Sequence, residues 1–231
     1  MNNETLTDNR GVYLINSANN KIVNSSLIIR GANNTDVRNH AIVLKNTINS
    51  SILNNAIVTS NQKGYGIYLE ATYGEVTNNN KIEKNIINTY RNNGFGVYLW
   101  GVNGGKVIGS EILDNYIRTY GSSAYGLFIE SSGPSSADSN ILQENAITVF
   151  GSGAYGVRII GSSHNLIRDS NTSSLKENDI QITSGTNNTF LNVTYTDEGV
   201  SGELIRKWYL NVKVNETNGS NVNQANVTGW N

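Results

Sequence analysis

The sequence predicts an all-β fold: a right-handed, single-stranded parallel β-helix of about seven coils with three short strands per coil. Three observations carry this reading. The pattern N/S-x-φ-x-x-N-x-φ, with φ apolar, returns every 30 residues as NKIVNSSL at 20–27, SSILNNAI at 50–57, NKIEKNII at 80–87, SEILDNYI at 110–117 and NILQENAI at 140–147. A second pattern runs in phase with it, as GVYL, AIVL, YGIYL, FGVYL, YGLFI and YGVRI, ending at Leu14, Leu44, Leu69, Leu99, Ile129 and Ile159. The apolar runs are short, rich in β-branched residues and divided by Asn, Gly and Ser, with no convincing helical spacing.

Each apolar run is read as a strand that pairs in parallel with its counterpart one coil away, about 4.8 Å along the axis. Weaker copies at 165 and 188, and NDIQI ending at Ile182, close the series. Coils of 23 to 30 residues exceed the roughly 18-residue coil of three stacked hexapeptides. Ile82, Ile112 and Leu142, with Ile57, Ile87, Ile117 and Ile147, form the expected aliphatic columns. Asn55, Asn85, Asn115 and Asn145 fall at one corner, where stacked amides can hydrogen-bond along the axis. Tyr90, Tyr120 and Phe150 stack at a second position, and Tyr65, Phe95, Tyr125 and Tyr155 at a third; all are read as structural. In GFGVYLWG at 94–101, Phe95, Val97 and Leu99 are expected on one face and Tyr98 and Trp100 on the other.

Residues 1–200 are assigned to the β-helix. The pattern changes in 201–231, where Trp208, Leu210, Val212 and Val214 alternate before an Asn218-Gly219 turn. This segment is expected to cap the last coil or to open a truncated immunoglobulin-like module. The opening MNNETLTDNR is not a signal peptide, so Met1 is expected to begin a segment of a longer chain.

A net charge of −1 over 231 residues carries no footprint for nucleic acid or an anionic membrane, and no apolar run reaches the length of a membrane span. The chain has no cysteine, hence no disulfide framework and no thiolate chemistry. Asparagine makes up about a sixth of the residues while 15% are charged, a composition suited to extracellular β-proteins. Glycosylation sequons stand at Asn3, Asn24, Asn33, Asn49, Asn171, Asn187, Asn192, Asn215, Asn218 and Asn226, with none between Asn49 and Asn171. Used as such, they would crowd both ends with sugar and leave the middle bare. A chain this rich in Asn, Ser and Thr also generates sequons by chance.

One irregularity is patterned. From the end of the second motif to the start of the next first motif, the chain runs 6, 6, 11, 11, 11, 6 and 6 residues. Three consecutive coils thus carry the same five-residue extension, within 70–79, 100–109 and 130–139. Stacked on one corner they make a shelf. Beside it the outward positions read Tyr13, Tyr68, Tyr98, Phe128 and Arg158, then Glu70, Trp100, Glu130 and Ile160. Exposed aromatic rings offer flat faces to pyranose rings or to protein, and Glu70 and Glu130 could accept hydrogen bonds from hydroxyls. Candidate ligand-binding residues are therefore Tyr68, Glu70, Tyr98, Trp100, Phe128 and Glu130, against the reading that such rows only stabilise a sheet.

Catalytic signals are thin. Glu70 and Glu130 stand two coils apart, about 9–10 Å between backbones, near the separation of an inverting carboxylate pair. Asp114 and Glu144 stack beside Lys84 and are read as a solvated pair. His40, His164 and Met1 form no ligand pair, so no metal or cofactor is implied.

The stacked motifs over residues 9–195 resemble the repeats of the pectate-lyase-like superfamily, nearest to the carbohydrate-binding and sugar-hydrolase (NosD-like) type of archaeal and bacterial surface proteins. That resemblance implies the fold and leaves function open, because the scaffold hosts lyases, hydrolases, epimerases, adhesins and structural proteins. The family's clustered aspartates and its calcium-plus-arginine set are not found here. The expectation is a non-enzymatic extracellular module of a surface-layer, filament or adhesin protein, contacting other protein chains or a polysaccharide. The alternative is a carbohydrate-active enzyme working at the shelf.

Overall fold

A computed structural model describes residues 10–30 and 39–210. Asn3, Asn33, Asn215, Asn218 and Asn226, and the alternation at Val212 and Val214, lie outside the described residues. The chain winds as a parallel β-helix, with every registered strand pair parallel. Its first sheet stacks eight strands from Val12–Ile15 to Glu198–Val200, and its second eight from Lys21–Val23 to Leu204–Lys207. The third sheet stacks six strands from Ser26–Ile29 to Asn171–Ser174. Register between the 30-residue coils has no slip: Ile52, Ile82, Ile112, Leu142 and Ile167 are mutual neighbours, as are Leu44, Leu69, Leu99, Ile129 and Ile159. Within 201–231, the strand Leu204–Lys207 continues the second sheet by pairing with Asn188–Leu191.

Strands this short need sharp corners, and the asparagine content follows from them. The residue closing each second-sheet strand is left-handed: Asn24, Asn54, Lys84, Asp114, Glu144, Asp169 and Asn192 have φ of 50–56°. The residue two before each of those strands is left-handed too: Asn19, Asn49, Asn79, Gly109, Ser139, His164 and Asn187 have φ of 52–61°. Asn and Gly tolerate this region best, which is why they recur there. Sequons at Asn24, Asn49, Asn187 and Asn192 are thus corner residues of the coil, and with Asn171 they are all exposed.

The interior is aliphatic, with polar ladders at its edges. Ile52, Ile57, Ile82, Ile87, Ile112, Ile117 and Leu142 have no exposed surface. Burying each such side chain contributes about 1.5–3 kcal/mol. At the corner between second and third sheets, Asn55, Asn85 and Asn115 each donate both a backbone and a side-chain N–H to Oδ1 of the asparagine one coil on, at 2.9–3.1 Å. Each amide also donates back to a carbonyl of the preceding coil, Ile22, Ile52 and Ile82 respectively, at 2.9–3.0 Å. Buried amides stay satisfied only if every coil supplies one, so the ladder enforces the repeat length.

The strand Val97–Val102 departs from the sequence reading at one residue. Val97 and Leu99 enter the interior as expected, but Phe95 turns outward and packs on Tyr98. Gly96 is the reason. A Cβ there would lie 2.3 Å from Ile117 Cγ2 and 2.6 Å from Gly126 O, so the chain can place no side chain at this bend. Relieved of that constraint, the preceding aromatic folds back over the sheet.

Candidate functional site

The three extensions build a shelf as a widened corner. In its first two steps the first-sheet strand lengthens to six residues, Ile67–Thr72 and Val97–Val102. The chain then reverses through Tyr73-Gly74 (φ 56° and 79°) and Asn103-Gly104 (φ 52° and 83°). Bonds from Glu75 N to Thr72 O (3.1 Å) and Gly105 N to Val102 O (2.9 Å) close these turns, and two successive left-handed residues define the hairpin type I′ turn. The returning strands Val76–Asn78 and Lys106–Ile108 pair in parallel. Ala71, Val107 and Ala137 fill the space enclosed and join the main core. The shelf is therefore packed from within. An open hollow of about 530 Å³ lies at its first step, bordered by Asn16, Asn46, Ile48 and Glu75.

The aromatic row beside the shelf is not exposed, a correction to the sequence expectation. Tyr68, Tyr98 and Phe128 retain 4%, 6% and 5% of their surface. Their rings stack at 5.1 and 4.8 Å, 13° and 5° from parallel. A second column, Tyr65, Phe95, Tyr125 and Tyr155, covers them edge-to-face, as in Tyr65–Tyr68 at 5.4 Å, Phe95–Tyr98 at 5.3 Å and Tyr125–Phe128 at 5.1 Å. Thr89 Oγ1 donates to Gly94 O (2.5 Å), and Thr59 Oγ1 to Gly64 O (2.8 Å); these bonds hold the turns that aim Phe95 and Tyr65. Because rings one coil apart stack face to face, the column presents edges outward. A sugar ring, which needs a free aromatic face, finds none along its length.

The remaining candidates stand in one registered column: Lys45, Glu70, Trp100, Glu130 and Ile160. Trp100 is half-buried, its ring 6.1 Å from Tyr98 and 6.4 Å from Tyr68. The Glu70 carboxylate sits 3.4 Å from Lys45 Nζ, while Glu130 Oε2 accepts a hydrogen bond from the Tyr98 hydroxyl. Burial, and after it the charge of Glu130, holds the Tyr98 phenol well above its ordinary pKa, so it stays a donor. The two glutamates thus face separate partners on either side of Trp100. Among the described residues, His, Asp and Glu side chains form no group of three able to hold a metal ion.

Two residues of this cluster escaped sequence reading as a unit. His40 is the first ring of the outer stack, 4.3 Å from Tyr65, and its Nδ1 accepts from Tyr65 N at 3.2 Å. Arg158 closes the other end, its guanidinium 4.7 Å from the Tyr125 ring and donating to the Tyr125 hydroxyl. Register was the available signal, since both continue aromatic columns by position. The stack that does reach solvent is Tyr90–Tyr120–Phe150, on the third sheet's far border, with rings 4.7 Å apart and 5° and 3° from parallel.

Comparison with protein-family models and with curated proteins returns no match. The fold is thus identified by its strand register, and function by what the surface can do.

Proposed function

We propose that this chain is a non-enzymatic structural or adhesive module of an extracellular protein, of the surface-layer, filament or adhesin kind, descended from the pectate-lyase-like, NosD-type β-helices. One observation carries the reading. At the only patterned irregularity in the repeat, the reactive side chains are engaged with one another: Glu70 with Lys45, Glu130 with Tyr98, and the rings in face-to-face stacks. A hydrolase or lyase needs an acid and a base directed at a shared cleft, whereas a spacer or lattice element needs a stiff, evenly stacked rod. Exposed corner sequons at both ends fit a surface location.

The test is a polysaccharide-cleavage screen paired with a glycan array. No turnover of any polymer, with mass spectrometry finding glycans on Asn24, Asn49, Asn171, Asn187 or Asn192 in protein from the native source, is the expected result. Turnover that disappears in Glu130→Gln or Glu70→Gln would overturn the reading in favour of a carbohydrate-active enzyme.

A further inference from the structure

The outward residues of the third sheet form a face unlike the other two. Its registered columns run Ser26, Ala56, Ile86, Tyr116, Ala146 and Asn171, then Ile28, Val58, Asn88, Arg118, Thr148 and Ser173. The stacked rings of Tyr90, Tyr120 and Phe150 border them. Ile28, Ile86, Tyr90, Tyr116 and Leu175 are all exposed, gathering much of the molecule's exposed apolar surface on one side. Exposed patches of this kind mark contact sites.

Charge says what the contact is with. Along this face and its border stand Arg30, Lys63, Arg91, Arg118 and Lys176 against one acid, Glu177. None of the five cations is in an ion pair among the described residues, and Arg118 lies instead 4.5 Å over the Tyr116 ring. The corner that closes the second sheet carries the opposite sign. Asp114, Glu144 and Asp169 occupy three successive left-handed positions, with Glu111 beside them, and Arg168 is the nearby cation of that stretch. Like charges repeated every 4.8 Å repel within each column. Bringing one column against the other would relieve both.

Resting on the reading of the chain as an assembly module, we infer that the third-sheet face binds the acidic second-sheet corner of a second copy, side by side with parallel axes. Both surfaces share the coil period, so columns match at any whole-coil stagger. A stagger of two coils, about 10 Å, sets Lys63, Arg91 and Arg118 level with Asp114, Glu144 and Asp169; Arg30 then lies level with Lys84, a like-charged pair. The contact is heterologous, leaving one free surface of each kind on every copy, and so propagates. Six strands by about five residues cover roughly 24 by 16 Å, near 400 Å², half the roughly 800 Å² per partner of a standard stable interface. A single contact is weak, salt-sensitive and effective at high local concentration.

The experiment is sedimentation analysis of the whole chain over a wide concentration range at low and at high salt. Two charge reversals on exposed corners are compared with wild type: Lys63→Glu with Arg91→Glu, and Asp114→Lys with Glu144→Lys. Wild type is expected to associate at low salt and to dissociate at high salt, where the Debye length shortens to a few Å. Each reversal alone should lose the associated species, and an equimolar mixture of the two should regain it, with melting temperatures unchanged. Wild type that stays monomeric, or a mixture that does not associate, overturns the inference. Association that survives both reversals overturns this surface while leaving the module reading in place; polysaccharide turnover removes the module reading itself.

Discussion

Replacing Asn115 by alanine is expected to destabilise the coil by about 3–5 kcal/mol, although it removes only one polar side chain. Asn115 is 1% exposed. Its Oδ1 accepts from Asn85 N and Asn85 Nδ2, both at 3.0 Å, and its Nδ2 donates to Ile82 O at 2.9 Å. Alanine strands the Asn85 backbone N–H and the Ile82 carbonyl, where the aliphatic columns exclude water. Each buried group left unpaired costs about 1–3 kcal/mol, and the vacated amide volume adds to that. Asn54→Ala is the control: exposed, on a neighbouring corner, it forgoes only a tolerated left-handed φ of 55°, a cost of about 1–2 kcal/mol or less. Denaturant unfolding followed by circular dichroism measures both variants. Native-state hydrogen exchange at the Asn85 amide, read beside it, covers the case in which a stacked repeat does not unfold in one step. A loss within about 1 kcal/mol of wild type, or no larger than that of Asn54→Ala, would refute the ladder argument.

Gly96→Ala should cost about 3 kcal/mol or more, because its Cβ meets Ile117 Cγ2 and the Gly126 carbonyl. Gly74→Ala, with open space around it and φ of +79°, should cost about 1 kcal/mol; equal thermal shifts would refute the distinction. The raised pKa of Tyr98 predicts stability that is complete below the ordinary phenol value near 10. It declines as pH rises beyond that value, because the unfolded chain releases a proton that the folded one retains. Tyr98→Phe should flatten that alkaline decline in urea titrations, and an unchanged slope would count against it. Trp100→Ala should lower the melting temperature by removing the stacking on Tyr98 and Tyr68, worth about 0.5–1.5 kcal/mol beyond area burial; a melt identical to wild type would mean that the indole packs on neither.

Much of the fold is legible in the residue pattern because a coil repeat is self-reporting. Each buried position must match its neighbours 30 residues away, so Ile82, Ile112 and Asn115 can be placed by spacing alone. The five-residue extensions are legible for the same reason. Phe95 was not, since alternation assigns it to the side of Val97 and Leu99. Its outward turn comes from Gly96, whose lack of a side chain is required by Ile117 one coil away.

For the candidate site the division is sharper. By itself the sequence determined the parallel stack, its corners, the shelf and the column in which Glu70, Trp100 and Glu130 stand, because each is a property of a periodic register. Only the tertiary structure decided that Tyr68, Tyr98 and Phe128 are covered, that the two glutamates have separate partners, and that unpaired cations and exposed rings gather on the third sheet. Strand periodicity states that a side chain points outward but cannot say whether another folds over it. That depends on the turn preceding the strand, where Thr89 holds Gly94 and aims the ring of Phe95 back across Tyr98.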